Sequence, residues 1–354
     1  MVFCTLFDSH YLDKGLVMYD SLKAVSNAFK FYVIAFDDKC YEVLKEMESD
    51  SLIPISMKEF ESEELLQVKK SRSRGEYCWT CSSHAIAYIL DHFETKCTYI
   101  DADMYFYEDP QCVLDEMEQS NCQIQIIEQR FDDRTLSRQM MKRSGKYCVE
   151  FNTFTRNQNS RTVLQWWQDR CLESCTVSAD GKVFGDQKYL DDWLERFEGV
   201  HVVENKGAGV APWNITNYEL LEKKGENIFL QYLPTGERCK LIFYHFHNMS
   251  HIGENKINIE VYSRASKTSE ALVEEIYFPY IKQIEKKRRL LSEKYGIDYQ
   301  QKEIHPTNPI AMLQEFRLDS IVKKIKGYNV FGLMQYMWYQ KNRKKDIIDI
   351  SDIK

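Results

Sequence analysis

Thr98-Tyr-Ile-Asp-Ala-Asp-Met-Tyr-Phe-Tyr-Glu-Asp-Pro110 is the stretch that decides the fold. Thr98, Tyr99 and Ile100 are strand formers, Met104 to Phe106 resume the apolar run, and Glu108-Asp-Pro110 stops it. Between the two apolar pieces stand Asp101 and Asp103, separated only by Ala102. Residues two apart in extended chain face the same side, so both carboxylates point to one place at the end of a strand. Two hard oxygen ligands without a full protein cage suit Mg²⁺ or Mn²⁺ shared with the phosphates of a bound diphosphate. An acidic turn that merely ends a strand has the same residues, so the neighbouring sequence has to decide between the two.

Working outward, the N-terminal side alternates strand and helix. Met1 to Phe7 and Phe31 to Phe36 read as fully buried strands, and Leu52 to Ile55 as a shorter one. Helical spacing appears over Tyr11–Val25, Cys40–Met47, Glu63–Lys70 and Tyr77–Phe93, the last leading into the Asp101/Asp103 strand. Strands alternating with helices predict an α/β fold with a mostly parallel central sheet flanked by helices. In such sheets ligands collect beyond the carboxyl ends of the strands, which puts Asp8, Asp37, Asp101 and Asp103 on one rim. On the C-terminal side, 123–128 and 146–155 are further strands, Ser160–Cys171 and Gln187–Phe197 helices, and 201–213, with Gly207-Ala-Gly209, a loop able to close over a ligand. In Leu241-Ile-Phe-Tyr-His-Phe-His247 the alternation places His245 and His247 on one face, where either can reach a metal. Gly253 to Lys256 reads as a loop, and after about residue 265 the pattern becomes charged helices with no further strand signal.

Composition narrows the classes. The chain has 354 residues, 44% of them hydrophobic, and a formal net charge of −7, which argues against nucleic acid as a partner. The start lacks a basic leader and an apolar secretory core, and no apolar run is long enough to span a bilayer, so a cytoplasmic location is expected. Eleven cysteines scattered through apolar segments suit reduced thiols better than a disulfide framework. Cys78-Trp-Thr-Cys81 has no second cysteine pair for zinc, and its flanks read as helix.

These pieces, in this order, resemble the nucleotide-sugar glycosyltransferases of the GT-A fold, most closely glycosyltransferase family 8 and its bacterial relatives, over roughly residues 1 to 260. Thr5-Leu-Phe-Asp-Ser-His-Tyr11 is similar to the family's first strand and loop, and the resemblance implies that Thr5, Asp8 and Tyr11 hold the uridine. Tyr99-Ile-Asp-Ala-Asp103 is similar to its D-x-D, with Asp101 also touching the donor. Phe151-Asn-Thr-Phe154 resembles an F-N-x-G stretch beside the donor sugar and implies a role for Asn152, although Phe154 stands where the family carries glycine. Asp186-Gln187 resembles the family's D-Q pair at the reacting sugar, and Trp213-Asn214 its later W-N. Tyr244-His245-Phe246 resembles the segment with the third metal ligand, which selects His245 and keeps His247 in reserve. Lys256 falls where a diphosphate-binding lysine is expected, but it comes several residues late and lacks the following Pro-Trp.

The resemblance implies a GT-A catalytic domain at 1–265 and a C-terminal helical appendage at 266–354. It implies a hexosyltransferase, with retention of anomeric configuration favoured, that uses Mn²⁺ or Mg²⁺ at Asp101, Asp103 and His245. Asp186, Gln187 and Asn152 would act at the sugar, and Thr5, Asp8, Tyr11, Asp101 and Lys256 on the nucleotide. The donor is expected to be a UDP-sugar and the acceptor a glycan or lipid-linked oligosaccharide of the cell envelope. Asp8 and Asp186 could instead simply cap helices, and Asn152 could tie down a turn. A sugar-1-phosphate nucleotidyltransferase is the rival enzyme, but it needs a Gly-rich basic loop after the first strand, and Leu6 to Lys14 supplies none. A non-catalytic partner protein of the same fold is the other alternative. Residues 316–345 carry an aromatic-apolar stretch bracketed by lysines and Arg343, the composition of a peripheral membrane anchor or of a helix packed on its own core.

Overall fold

The structure is a computed structural model that describes residues 1–132, 134–178, 180–253, 255–264, 267–299 and 344–353. In chain order, β1 (Val2–Phe7), α1 (Leu12–Val25), β2 (Lys30–Ala35), α2 (Asp38–Glu46), β3 (Leu52–Ser56), α3 (Met57–Phe60), α4 (Glu63–Lys69), α5 (Arg74–His92) and β4 (Lys96–Ile100) form the first half. There follow β5 (Met104–Phe106), α6 (Gln111–Gln119), β6 (Ile124–Glu128), α7 (Thr135–Ser144), β7 (Tyr147–Thr155), α8 (Gln158–Glu173), α9 (Trp193–Arg196) and β8 (Val200–Val202). The last group is β9 (Tyr218–Lys224), β10 (Asn227–Tyr232), β11 (Glu237–Lys240), β12 (Phe243–His245), β13 (Ser250–Ile252), β14 (Lys256–Asn258), α10 (Glu270–Tyr295) and β15 (Ile347–Asp349).

The central sheet has the order β3-β2-β1-β4-β7-β6-β8. It is the α/β arrangement expected, parallel from β3 to β4 and between β6 and β8, with β7 running against both its neighbours. Its inner strands are apolar on both faces because each face is covered. Phe3, Phe7, Phe31 and Val33 enter one core with α1, while Cys4, Leu6, Tyr32 and Ile34 enter the other with α5 and α8. Local signals set the helix starts. Asp37 caps α2 through the Cys40 N–H at 2.7 Å, and Ser73 with Glu76 forms a capping box on α5.

A third core joins β9 to β12, the β13–β14 hairpin and α10. On α10 the Tyr280 ring stacks on Phe246 at 3.6 Å between centroids, and the Tyr277 and Tyr244 hydroxyls meet at 2.9 Å. On its other side Lys287 pairs with Asp20 of α1 at 2.6 Å. The first helix beyond residue 265 is thus built into the molecule and braces the strand that carries His245.

Three local readings change, and a segment left unread, 218–240, proves to be sheet. Val200–Val202 is a strand rather than loop. The region 187–197 is a short 3₁₀ turn followed by one turn of α9. Residues 218–240 form an antiparallel three-stranded sheet whose polar, exposed outer residues gave no clear apolar signal. Beyond 265 there is a strand after all: β15 pairs with β14, and buried Asp346 beside it accepts the Tyr262 and Ser263 N–H groups at 2.6 and 2.9 Å. Three residues held by pairing and one buried carboxylate leave too short a pattern to read. The 316–345 stretch lies, apart from its last two residues, outside the described residues. Among the described residues no helix is long and apolar enough to cross a membrane.

Phe151 on β7 stacks on Phe243 of β12 with centroids 5.1 Å apart and planes 15° from parallel, and both rings are fully buried. Phe151→Ala should therefore lower unfolding free energy by about 3–5 kcal/mol, read as a shifted midpoint in denaturant unfolding. A loss below about 1 kcal/mol would show that this contact does not join the two sheets.

Candidate active site

Strand pairing brings the candidate ligands together. Ile100 ends β4 opposite Phe151, and the Asp101 N–H donates to the Glu150 carbonyl at 3.3 Å. The chain turns through Asp101 to Asp103 and resumes as β5, which pairs antiparallel with β12 so that Met104 lies opposite His245. The Phe246 N–H donates to the Asp103 carbonyl at 2.8 Å and the His245 N–H to Val210 at 2.9 Å. That register points His245 at the acidic pair. Its Nε2 is 3.1 Å from Asp103 Oδ1 and 3.7 Å from Asp101 Oδ2.

The other imidazole nitrogen explains the orientation. Nδ1 lies 2.5 Å from Glu150 Oε2, inside a fully buried stretch of β7. A histidine that donates Nδ1–H to a carboxylate presents Nε2 outward, the arrangement that fixes ring and tautomer in metal sites. Cys148, Glu150 and His245 offer ligand atoms all within 4.8 Å of one another, but Glu150 already takes the Nδ1 side. The donor set that fits a hard divalent cation is therefore Asp101, Asp103 and His245 Nε2, with Glu150 behind the imidazole.

The electrostatics agree with this division. Burial pushes the Asp101 carboxyl up to about 8, with the Asp103, Asp186 and Glu150 charges adding to it and His245 opposing. Burial also works against ionised Asp103, but His245, Lys14 and His247 outweigh it and hold that carboxyl below its usual range. Burial would discharge His245, yet Asp103, Cys148 and Glu150 raise it well above an ordinary histidine. A proton on Nε2, shared with Asp103, thus balances the carboxylates in the absence of another cation. Burial, followed by the His245, Arg264 and Lys14 charges, pushes His247 down to about 3 and keeps it neutral.

The remaining candidates are distributed around this centre. Asp186 is buried, pushed up to about 7 chiefly by that burial, and accepts from the Ser82 hydroxyl on α5. Burial, followed by the Cys81, Asp101, Asp186 and Asp8 charges, pushes the partly buried Cys78 thiol of α5 well above its usual range. Trp213 stands edge-on to His245 and His247 at 5.3 and 5.5 Å. Asn214 fastens the loop before it by accepting from Ala211 N–H at 2.9 Å and donating to Gln129 and Gly209 carbonyls at 2.9 and 2.8 Å. The glycine loop is consequently buried and bolted down rather than free to close. Gly209 has φ +67°, and a Cβ there would stand 2.5 Å from Ile127 Cδ1 and 2.9 Å from Glu150 Oε1.

Other positions are occupied with structural contacts. Asp8 accepts the His10 N–H at 2.9 Å, a cap, and pairs with Arg74 at 2.5 Å, while Arg74 also reaches Asp37 at 3.4 Å. Thr5 is buried with a hydroxyl that has no partner among the described residues, and Tyr11 is exposed beside Lys14. Asn152 is buried on β7, where its amide nitrogen can donate to the Phe151 and Cys148 carbonyls, each at 3.2 Å. Gln187 donates to the Ser144 carbonyl at 2.7 Å. Lys256 opens β14 on the surface, in register with Asp349, and no hydrogen bond or ion pair joins it to the acidic pair among the described residues. Sequence reasoning missed Glu150 and Lys14. Glu150 lay one residue before the noted Phe151-Asn152 stretch, a buried carboxylate amid apolar strand residues, which was the available signal.

Fold and site together define an α/β protein with an acidic centre, Asp101, Asp103 and His245, at a strand end. The chain belongs to the family of YfnD, an uncharacterized protein of Bacillus subtilis (strain 168). It is 30% identical to YfnD over 283 residues, 79% of this chain and 87% of YfnD. YfnF of the same organism is 27% identical over 78% of this chain and 89% of its own length. No protein-family model matches the chain. Among solved structures it is similar to the glycosyltransferase GlyE of Streptococcus pneumoniae TIGR4 (TM-score 0.41, 15% identity, 61% of this chain and 47% of that one). It is also similar to the galactosyltransferase LgtC in complex with donor and acceptor sugar analogs (TM-score 0.42, 14% identity, 60% and 76%). Mouse xyloside xylosyltransferase 1 gives a TM-score of 0.43 at 13% identity over 70% and 98%.

Occupation by a cation requires Asp101 to ionise and His245 to give up its Nε2 proton, so protons and cation compete. Mn²⁺ titrated by calorimetry should bind more tightly at pH 8 than at pH 6, with protons released into the buffer. Glu150→Gln should weaken it roughly 10–100-fold. Equal affinity at both pH values, or an unaffected variant, would contradict the assignment.

Proposed function

We propose that the protein is a metal-dependent glycosyltransferase that moves a hexosyl group from a UDP-sugar to a glycan or lipid-linked acceptor of the cell envelope. The observation that carries this reading is the convergence of Asp101, Asp103 and His245 Nε2 at the carboxyl end of β4, with Nδ1 tied to Glu150. Asp101, Asp103 and His245 would hold Mn²⁺ or Mg²⁺, which would supply positive charge for a leaving diphosphate. Glu150 keeps the imidazole in one orientation, and Trp213 packs edge-on against it. Asp186, which accepts from Ser82 and whose carboxyl burial pushes up to about 7, takes the donor-sugar hydroxyls in this reading, with Asn152 and Gln187 beside it in the same role. Tyr11, Asp8 and Thr5 belong to the strand and turn assigned to the uridine. Retention of configuration fits the family 8 likeness. The envelope acceptor and attachment at the inner membrane face rest on the basic and aromatic composition of 316–345.

A panel of UDP-, GDP- and CMP-sugars tests the reading. One UDP-sugar should be hydrolysed slowly in a Mn²⁺-dependent way, with chelator stopping it, and NMR of a transfer product should show retained configuration. Asp103→Asn should lower turnover at least ~100-fold in protein that still folds, because an interaction worth several kcal/mol at the leaving group is lost. Chelator-resistant turnover, or a fully active Asp103→Asn, would refute it.

A further inference from the structure

Cys148 and Glu150 stand two residues apart on β7, so both side chains reach the same side of the strand. Cys148 Sγ, a Glu150 carboxylate oxygen and a His245 ring nitrogen all lie within 4.8 Å of one another, and all three residues are buried. The ring nitrogen beside Glu150 is Nδ1, 2.5 Å from Oε2. The hard-cation centre uses the opposite nitrogen, Nε2, so this second face of the imidazole is left over by the reading of the site. Two features set it apart from ordinary packing. Glu150 Oε1 is buried and has no hydrogen-bond partner among the described residues, a costly state for a carboxylate oxygen. The Cys148 thiol reaches Gln187 Oε1 at 4.0 Å, and that amide is held by its own Nε2, which donates to the Ser144 carbonyl at 2.7 Å. A sulfur, a carboxylate and an imidazole nitrogen thus meet in one place, with an amide oxygen beside the sulfur.

We propose that Cys148, Glu150 and His245 Nδ1 form a second metal site, one for a thiophilic cation of the Zn²⁺ type. The donor set decides the class of ion: a thiolate, an imidazole and a carboxylate suit Zn²⁺, whereas Mn²⁺ and Mg²⁺ favour the oxygen-rich set on the other side of the ring. Bonds to Zn²⁺ of about 2.0–2.3 Å put tetrahedral ligand atoms roughly 3.3–3.8 Å apart. Against the 2.5 Å and 4.8 Å limits of the cluster, that asks the carboxylate to draw back and the sulfur to come in by about 1 Å each. The charges balance as well. The thiol and Nδ1 each release a proton to solvent, which leaves one thiolate and one carboxylate against the two charges of the ion. A neutral cluster avoids the cost of an isolated buried ion. Gln187 Oε1 or a water fills the fourth position. The ion enters past Asp101, whose side chain beside His245 keeps 32% of its surface exposed. One imidazole serves both sites: bound through Nδ1, the ring keeps its remaining proton on Nε2, 3.1 Å from Asp103, and is lost to the hard-cation centre. Only that competition rests on the metal-dependent reading above; the sulfur site does not.

Zinc K-edge X-ray absorption of the full-length wild-type protein with one equivalent of Zn²⁺ reads the ligands directly. The spectrum should require one sulfur at about 2.3 Å together with nitrogen and oxygen at about 2.0–2.2 Å. A shell of nitrogen and oxygen alone would put the ion on the Asp101 and Asp103 carboxylates, and two or more sulfurs would put it among other cysteines; either overturns the proposal. Cys148→Ser should lower Zn²⁺ affinity in calorimetry at least ~10-fold and Mn²⁺ affinity much less, because a hydroxyl is a poor ligand for Zn²⁺ and Mn²⁺ does not use the sulfur. Unchanged Zn²⁺ binding, or equal losses for the two ions, overturns it as well. One equivalent of Zn²⁺ should also weaken Mn²⁺ binding to the wild type and not to Cys148→Ser; equal weakening in both would show zinc competing at the aspartates instead. Zinc bound through one sulfur in a protein that fails to bind Mn²⁺ keeps this site and removes the metal-dependent glycosyltransferase reading. Mn²⁺ binding without a zinc–sulfur bond removes this site alone.

Discussion

The contact between His245 and Glu150 governs the rest of the site. A histidine lodged between carboxylates can turn either nitrogen to either side, and only a fixed partner on Nδ1 makes Nε2 the group that faces Asp101 and Asp103. Two strand pairings bring that partner into place. β7 runs against β4 and sets Glu150 beside the first aspartate; β12 runs against β5 and sets His245 beside the second. Neither pairing is local in sequence, so the site forms only when the whole sheet and its outer strands have assembled.

Much of the remaining architecture keeps these two strands still. Phe151 and Phe243 pack between them, and α10 clamps the outer side through Tyr280 on Phe246 and Tyr277 on Tyr244. Asn214 ties the glycine loop to the Gln129 and Gly209 carbonyls, which lets Trp213 cover His245 and His247. Rigid support of this kind suits a centre whose ligands must stay close despite mutual repulsion among carboxylates. The cost appears as buried groups without partners among the described residues, Glu150 Oε1 and Arg130 Nη2 beside Gly209 being two of them.

The alternation of buried strands and helices made the parallel part of the fold legible, because both faces of β1 and β2 are covered and both therefore read as apolar. The acidic pair was legible for the opposite reason, as charge where apolar residues were due. His245 and His247 could be placed on one face but not ranked by periodicity alone. The deciding partner, Glu150, comes from a distant strand. Lys14 was hidden in a different way: its helical position looked like an ordinary solvated lysine, and only the packing of 245–249 over the start of α1 buries it. Lys256 shows the converse, since a motif-like position in sequence became an exposed hairpin residue. The strand at Ile347–Asp349 escaped notice because three residues carry no period, and its place is set by β14 and by Asp346.

The central claim is that an imidazole nitrogen and the acidic strand end hold one divalent cation against a diphosphate. Electron spin-echo spectroscopy of Mn²⁺ bound to the full-length protein with UDP tests this directly. The account predicts a ¹⁴N coupling from one directly bound imidazole, abolished in His245→Gln and retained in His247→Gln, together with ³¹P couplings from the nucleotide. A Mn²⁺ spectrum with phosphorus but no nitrogen coupling, or one in which the nitrogen signal survives His245→Gln, would contradict it.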